Sequence, residues 1–205
     1  MIVKQFFAGP INANNYLLVD ETTKDAVLID CSEVKEEILE TIKELGAKVK
    51  YILLTHGHFD HVMGVNEMKK HLNCEVLIHE KDVEWLSHIN EALPMFGLPP
   101  AEIPQYDKNF SDGEVITFGN KNIKVIHTPG HTQGSVCFMI DGKLFSGDTL
   151  FKEAVGRVDL PGGSWNDIQN SIVNILFKLD NDTIVYPGHG DATSIRYEKE
   201  FNREI

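Results

Sequence analysis

A chain of 205 residues with 42% hydrophobic content can bury a substantial core, and it is expected to form one globular domain spanning residues 1–205. Its net charge of −12, with no Lys/Arg run longer than two residues, argues against a nucleic-acid surface and against a polybasic membrane anchor. Three widely spaced cysteines argue against a disulfide framework and a Cys-x-x-Cys zinc site, and no signal-like or membrane-length apolar segment stands out, so a reducing cytoplasm is the expected address.

In chain order, short apolar strands are expected over 2–7, 16–19 and 26–29, punctuated by Gly9-Pro10 and the polar stretch 21–25. Ser32 is expected to open a helix with Val34, Ile38, Ile42 and Leu45 on one face and Gly46 as its stop. The largely apolar run 49–54 predicts a strand buried on both faces. Beyond it Val62, Val65, Met68 and Leu72 recur at helical spacing, 75–78 reads as a strand, and a helix is expected around 81–89. Residues 93–104 hold four of the eight prolines and predict an irregular surface excursion, a candidate lid.

The second half repeats this grammar. Strands are expected over 114–118, 123–127, 135–140 and 143–145, split by turn signals at Gly119-Asn120 and Asp141-Gly142. Ser164 and Asp167 match a capping box, and the helix behind them is expected to bury Ile168, Ile172, Ile175 and Leu179. A strand over 183–186 leads into Pro187-Gly188-His189-Gly190, and a short polar helix begins near Ser194. Strands followed by helices, twice over, suggest two sheets packed face to face with helices outside, a four-layer α/β sandwich.

The densest chemistry lies in Thr55-His56-Gly57-His58-Phe59-Asp60-His61, directly after the run 49–54. In a helix, residues two apart point about 200° apart, whereas in extended backbone they share a side. His56 and His58 can therefore grip one metal, while Asp60 and His61, where the chain turns, can face another. Three further positions sit at strand ends beside glycine: His131 in Thr128-Pro129-Gly130-His131-Thr132, Asp148 in Ser146-Gly147-Asp148-Thr149, and His189. Singly, each reads equally well as an ordinary turn residue. His71, His79, His88 and His127 fall within expected helices or strands without flanking glycine, and a structural role suits them better.

Together the seven positions resemble the metallo-β-lactamase superfamily, whose pattern is H-x-H-x-D-H followed by a distant His, a distant Asp and a last His. The resemblance implies an αββα sandwich with a dinuclear site at the edge between the sheets. Carried over, it implies that His56, His58 and His131 hold one metal, that Asp60, His61 and His189 hold the second, and that Asp148 bridges both. Ligands of this type suit two divalent ions, zinc best of all, with iron or manganese also compatible. A water shared by two such ions would ionise near neutral pH and attack a carbonyl, with Asp60 as a candidate to steer it. The site would then be a local positive spot able to seat an anionic substrate. Asp30, ending a strand, is a candidate partner for a ligand histidine or simply a turn cap.

The phrases His127-Thr128-Pro129-Gly130-His131-Thr132, Gly147-Asp148-Thr149-Leu150-Phe151 and Gly156-Arg157-Val158-Asp159-Leu160-Pro161-Gly162-Gly163 look like the glyoxalase II (hydroxyacylglutathione hydrolase) group. More narrowly, they are similar to its short bacterial relatives without the C-terminal helical domain. This resemblance implies hydrolysis of a thioester, with S-acylated glutathione or another small thiol conjugate as the partner. A thiolate with a pKa of about 8.5 leaves with little proton donation, which fits the lack of an evident general acid. Arg157 stands where that group carries a substrate-contacting lysine, so it is a candidate contact to a substrate carboxylate or amide; pairing with Asp159 is the competing reading. Arg196, Lys199 and Arg203 share a face of the terminal helix and could replace the lost contacts, or simply be solvated. Two alternatives remain. One is a persulfide dioxygenase holding a single iron through His56, His131 and Asp148; the other is a non-catalytic metal-binding sensor on the same scaffold.

Overall fold

The computed structural model describes residues 1–205. Strands β1 (Ile2–Ala8), β2 (Ala13–Val19) and β3 (Asp25–Ile29) pair antiparallel, and β4 (Lys48–Leu53), β5 (Glu75–His79) and β6 (Lys108–Phe110) extend the sheet in parallel and in chain order. Parallel neighbours need crossovers. Here the helices α1 (Glu36–Leu45), α2 (Phe59–Val62), α3 (Val65–Leu72) and α4 (Val83–Ala92) lie in the connections.

The second sheet begins as a meander of β7 (Val115–Phe118), β8 (Lys121–His127), β9 (Val136–Ile140) and β10 (Lys143–Gly147). A small hairpin, β11 (Leu150–Phe151) and β12 (Ala154–Val155), and helix α5 (Trp165–Asn170) follow. Strand β13 (Ile184–Pro187) then returns parallel beside β10, and β14 (Thr193–Ser194) and helix α6 (Ile195–Phe201) close the chain. Asp141 (φ 47°) and Gly142 (φ 72°) are both left-handed, as the tight β9–β10 hairpin requires.

Alternation along each strand sorts side chains into layers. Tyr16 and Leu18 point between the sheets, where they meet Val27 and Leu53 of the first sheet and Val125, Phe138 and Phe145 of the second. Leu17 and Val19 point the other way, onto Ile38, Ile42, Met68 and Leu86 of the helices. On the far side Cys137, Leu144 and Val185 pack under Ile168, Ile172 and Ile195. The order is helix, sheet, sheet, helix: the αββα sandwich expected from the sequence. No helix is long and apolar enough to cross a membrane.

Several local expectations are corrected. The first helix starts at Glu36, not Ser32, because Ser32 is buried and engaged elsewhere. Its N–H donates to Asn15 Oδ1 (3.0 Å) and its Oγ accepts from Asn15 Nδ2 (2.8 Å). Strand β4 is not buried on both faces throughout: Lys48 and Lys50 reach solvent, Lys50 lying 3.3 Å from Asp25. The excursion after α4 starts as a helical turn, Leu93–Phe96, and its remainder is tethered. Asn90 exchanges two hydrogen bonds with Ala101, and Asn66 bonds the backbone of Ile103 and Gln105. Ser164 caps α5 as expected, its Oγ accepting from Asp167 N–H. A π-turn over Ser171–Ile175 then inserts an extra residue into the helical repeat, so that Leu176 is fully buried while Ile175 and Leu179 pack half-buried against the same cluster.

Candidate metal centre

Every candidate ligand follows the carboxyl end of a strand, where loops of both sheets meet along one edge. His58 is extended (φ −71°, ψ 148°) and precedes α2, whose first turn carries Asp60 and His61. His131 lies between β8 and β9, Asp148 follows β10, and His189 follows β13. The glycines beside them permit close approach. Gly147 is left-handed (φ 48°), and a Cβ there would sit 2.6 Å from Thr55 Cβ; a methyl on Gly188 would overlap Asp148 Oδ1.

The structure brings all seven sequence-selected residues together. Three triads, His56–His58–His131, His56–His61–Asp148 and Asp60–His61–His189, each present ligand atoms within 4.8 Å of one another. His58 Nδ1 and His131 Nε2 are 2.8 Å apart, and His189 Nε2 is 3.1 Å from Asp60 Oδ2. Asp148 joins the two halves, with Oδ1 3.3 Å from His61 Nε2 and Oδ2 3.6 Å from His131 Nε2. His79 and His127 enter none of these triads and stack on each other at 4.4 Å.

Three of the rings are oriented by a partner on the nitrogen facing away. His56 Nδ1 is 3.0 Å from Thr55 Oγ1, His61 Nδ1 is 2.8 Å from Asp30 Oδ2, and His131 Nδ1 is 2.8 Å from the Arg157 carbonyl oxygen. Such partners fix the tautomer so that the other nitrogen is a bare lone pair. His56 Nε2 and Asp148 Oδ1 are buried and have no hydrogen-bond partner. Orphaned buried polar atoms are costly and rare. Nitrogen and carboxylate lone pairs converging without donors to meet them fit a divalent cation.

For His56, His58 and the two carboxylates the protonation states agree with this. Burial first, and then the neighbouring histidines, hold His56 far below its ordinary range and bring His58 down to about 3, leaving both imidazoles neutral. Burial alone would raise Asp60 and Asp148, but the adjacent His61 outweighs it and keeps both carboxylates ionised. His61 is the exception, held well above its ordinary value: burial opposes the proton, and Asp60, Asp148 and Asp30 together override it, so a cation among these carboxylates would take the place of the proton on Nε2.

Sequence reasoning missed several residues that hold these loops. Asn14 Nδ2 donates to the carbonyls of Pro187 and Gly190 (2.9 Å each), and Tyr16 OH donates to Pro187 O (2.7 Å), so β2 cradles the His189 loop. The clue was two adjacent asparagines in an otherwise apolar strand. Asp82, fully buried, accepts from Gly57 N (2.9 Å), Thr132 Oγ1 (2.7 Å) and Gly134 N (2.6 Å), tying the His56–His58 loop to the His131 loop. Burial pushes the Asp82 carboxyl up despite these donors. Asp30 does partner a candidate ligand histidine, His61. The guanidinium of Arg157 is exposed and held by Asp159 in two bonds of 2.7 and 2.8 Å, which keeps the Asp159 carboxyl near 2.

A family model described as the metallo-beta-lactamase superfamily matches residues 8–189. The hydroxyacylglutathione hydrolase GloC of Haemophilus influenzae is 35% identical, covering 94% of each chain. The crystal structure of the B3 metallo-beta-lactamase BLEG-1 superposes with a TM-score of 0.91 at 34% identity, covering 98% of each chain. That of TTHA1623 in a di-iron-bound form gives 0.89 at 34% identity, over 99% of this chain and 100% of the other.

Proposed function

The chain belongs to the metallo-beta-lactamase superfamily of hydrolases, and from that premise we propose that it hydrolyses thioesters in the manner of hydroxyacylglutathione hydrolases, with residues 1–205 as one catalytic unit. The observation that carries this reading is the set of buried lone pairs without hydrogen-bond partners, at His56 Nε2 and Asp148 Oδ1, in a cluster open to a groove. His56, His58 and His131 would hold one cation, Asp60, His61 and His189 the other, and Asp148 both. Zinc suits this donor set, and iron and manganese are compatible with it. When bound, such cations supply a water ionised near neutral pH and a polarised substrate carbonyl.

The chain's own groups do the rest. Asp60, kept ionised, would both ligate and accept a hydrogen bond from the attacking water. Arg157 lines the groove with its charge balanced by Asp159, so its remaining N–H donors suit a neutral amide carbonyl of a small thiol conjugate. A thiolate leaving group needs little protonation, in keeping with a site that offers no dedicated acid.

The test is release of free thiol from S-D-lactoylglutathione by the metal-loaded protein, abolished by a chelator. No turnover with zinc, iron and manganese each loaded would overturn the reading. Oxygen uptake with glutathione persulfide would replace it with a dioxygenase, and opening of a β-lactam ring as the main activity would replace it with a lactamase. Tight metal binding with none of these reactions would leave a sensor.

A further inference from the structure

The groove beside the cluster is far larger than a lactoyl group needs. It measures about 680 Å³, room for about 20 waters. His58, Asp60, His131, Asp148 and His189 are among its lining groups, so a ligand in it can reach the candidate metal cluster. Apolar residues make up much of the wall: Trp85, Ile89, Met95 and Phe96 from α4 and the turn after it, with Phe151 and Val155 from the small hairpin. Beyond the ligand cluster the only charged or titratable lining groups are His88, Glu91 and Arg157, and Arg157 is neutralised by Asp159. An anionic or polyhydroxylated group would thus find apolar wall, one carboxylate and no free cation along its length.

The wall is built rather than incidental. Trp85 is seated between two glycines: a Cβ at Gly57 would lie 2.7 Å from Trp85 Cβ, and one at Gly162 3.0 Å from Cζ2. Its ring meets the candidate ligand His58 edge-on, with centroids 5.7 Å apart. Farther out, Met95 is 83% exposed and Phe96 47% exposed, although Phe96 packs on the buried Phe59. Contiguous apolar surface around a concave site marks a ligand surface. We infer that the acyl half of the substrate is apolar and of medium length, lying along Trp85, Ile89, Met95 and Phe96 with its thioester carbonyl at the cluster. This rests on the thioesterase reading and narrows it from hydroxyacyl to apolar acyl conjugates.

The experiment has two arms on the metal-loaded protein. In the first, calorimetry measures binding of the non-hydrolysable thioethers S-methyl-, S-butyl- and S-hexylglutathione, which differ only in the alkyl chain. Affinity should rise about two- to fourfold per methylene, the upper figure for full burial, and so at least about thirtyfold over the five methylenes from methyl to hexyl. In the second, kcat/KM is compared for S-hexanoyl- and S-lactoylglutathione in the native chain and in Met95→Ser and Phe96→Ser. The native chain should prefer hexanoyl, and each substitution should cut the hexanoyl-to-lactoyl ratio about tenfold. Rising affinity without hydrolysis would leave the apolar groove standing and remove the thioesterase reading. Affinity and rates flat along the series would overturn the inference while lactoyl turnover upheld the parent reading. Flat affinity together with a dimer that Met95→Ser dissociates would reassign the apolar rim to a second copy of the chain, again overturning it.

Discussion

Asp30 Oδ2 stands 2.8 Å from His61 Nδ1, and the backbone adopts a left-handed conformation at Asp30 (φ 58°) to put it there. The same carboxylate accepts from Thr55 N–H and Thr55 Oγ1, at 2.8 Å each, and Thr55 Oγ1 lies 3.0 Å from His56 Nδ1. One strained residue at the end of β3 therefore aims histidines of both halves of the cluster. A non-glycine residue persists in that conformation only where the surroundings dictate it, and such strain collects at functional sites.

Asp30→Asn leaves one acceptor oxygen for three partners. Metal affinity should fall tenfold to a hundredfold, the usual loss when the outer partner of a ligand histidine is removed. Competition with a chromogenic chelator measures it, and unchanged affinity for both ions would count against the role given to Asp30.

Metal should also stabilise the fold. A cation at a hundred times its Kd adds about 2.7 kcal/mol, which for a chain of this size raises Tm by about 5–10 °C. Scanning calorimetry with metal and with excess chelator checks this. Identical melting curves would mean that the lone pairs at His56 and Asp148 do not hold an ion.

Gly188 tests the crowding around Asp148. A methyl there overlaps Asp148 Oδ1 and approaches His61 Cε1 to 2.9 Å. A displacement of order 1 Å at reacting groups can cost about a hundredfold in rate, so Gly188→Ala should lose at least that much kcat/KM. Gly113→Ala is the contrast: with φ 76° but open space around the new methyl, it should cost about 1 kcal/mol of stability and leave turnover intact.

His79 provides a pH dependence away from the candidate metal ligands. Burial first, then the stacked His127, lower it to about 4. A base whose pKa is depressed on folding takes its proton more readily when unfolded, so its contribution is full above about 6.5 and is lost as pH falls from there toward 4. His79 Nδ1 also accepts from Lys81 N–H at the start of a helical turn, a role that Asn can fill without titrating. His79→Asn should therefore lose less Tm than the native chain between pH 7 and pH 4.5. Equal losses would remove His79 as the titrating group.

Much of this architecture is legible in the sequence because its signals are local. The apolar run Tyr16-Leu17-Leu18-Val19 marks a strand, Asp141-Gly142 a tight hairpin, and glycine beside His131, Asp148 and His189 a strand-end loop. What escaped depends on contacts made across the fold. Ser32 looks like a helix cap until Asn15, seventeen positions away, takes its hydrogen bonds. β6 is three residues long and gains its identity only by pairing with β5. The π-turn at Ser171–Ile175 shifts the buried face by one residue with no local mark. In the sequence Arg157 stands out for its side chain, yet its carbonyl is what reaches His131.

Asp82 extends that lesson to a prediction. It sits at the start of α4, far in sequence from any ligand, yet it accepts from Gly57 N–H on one side and from Thr132 Oγ1 and Gly134 N–H on the other. The loops carrying His58 and His131 are thus referenced to a single carboxylate, and those two histidines belong to the same triad. Asp82→Ala strands two buried N–H groups at about 1–3 kcal/mol each and should lower stability accordingly. Asp82→Asn keeps one acceptor oxygen but turns a donor toward either Gly57 or Gly134, so it should cost less stability while still spreading the two loops. The diagnostic is metal occupancy: in Asp82→Asn the ion held by His56, His58 and His131 should weaken at least about tenfold, while the ion held by Asp60, His61 and His189 changes little. Titrating metal into the stripped variant separates the two. Equal weakening of both, or of neither, would show that Asp82 supports the fold without setting the distance between these histidines.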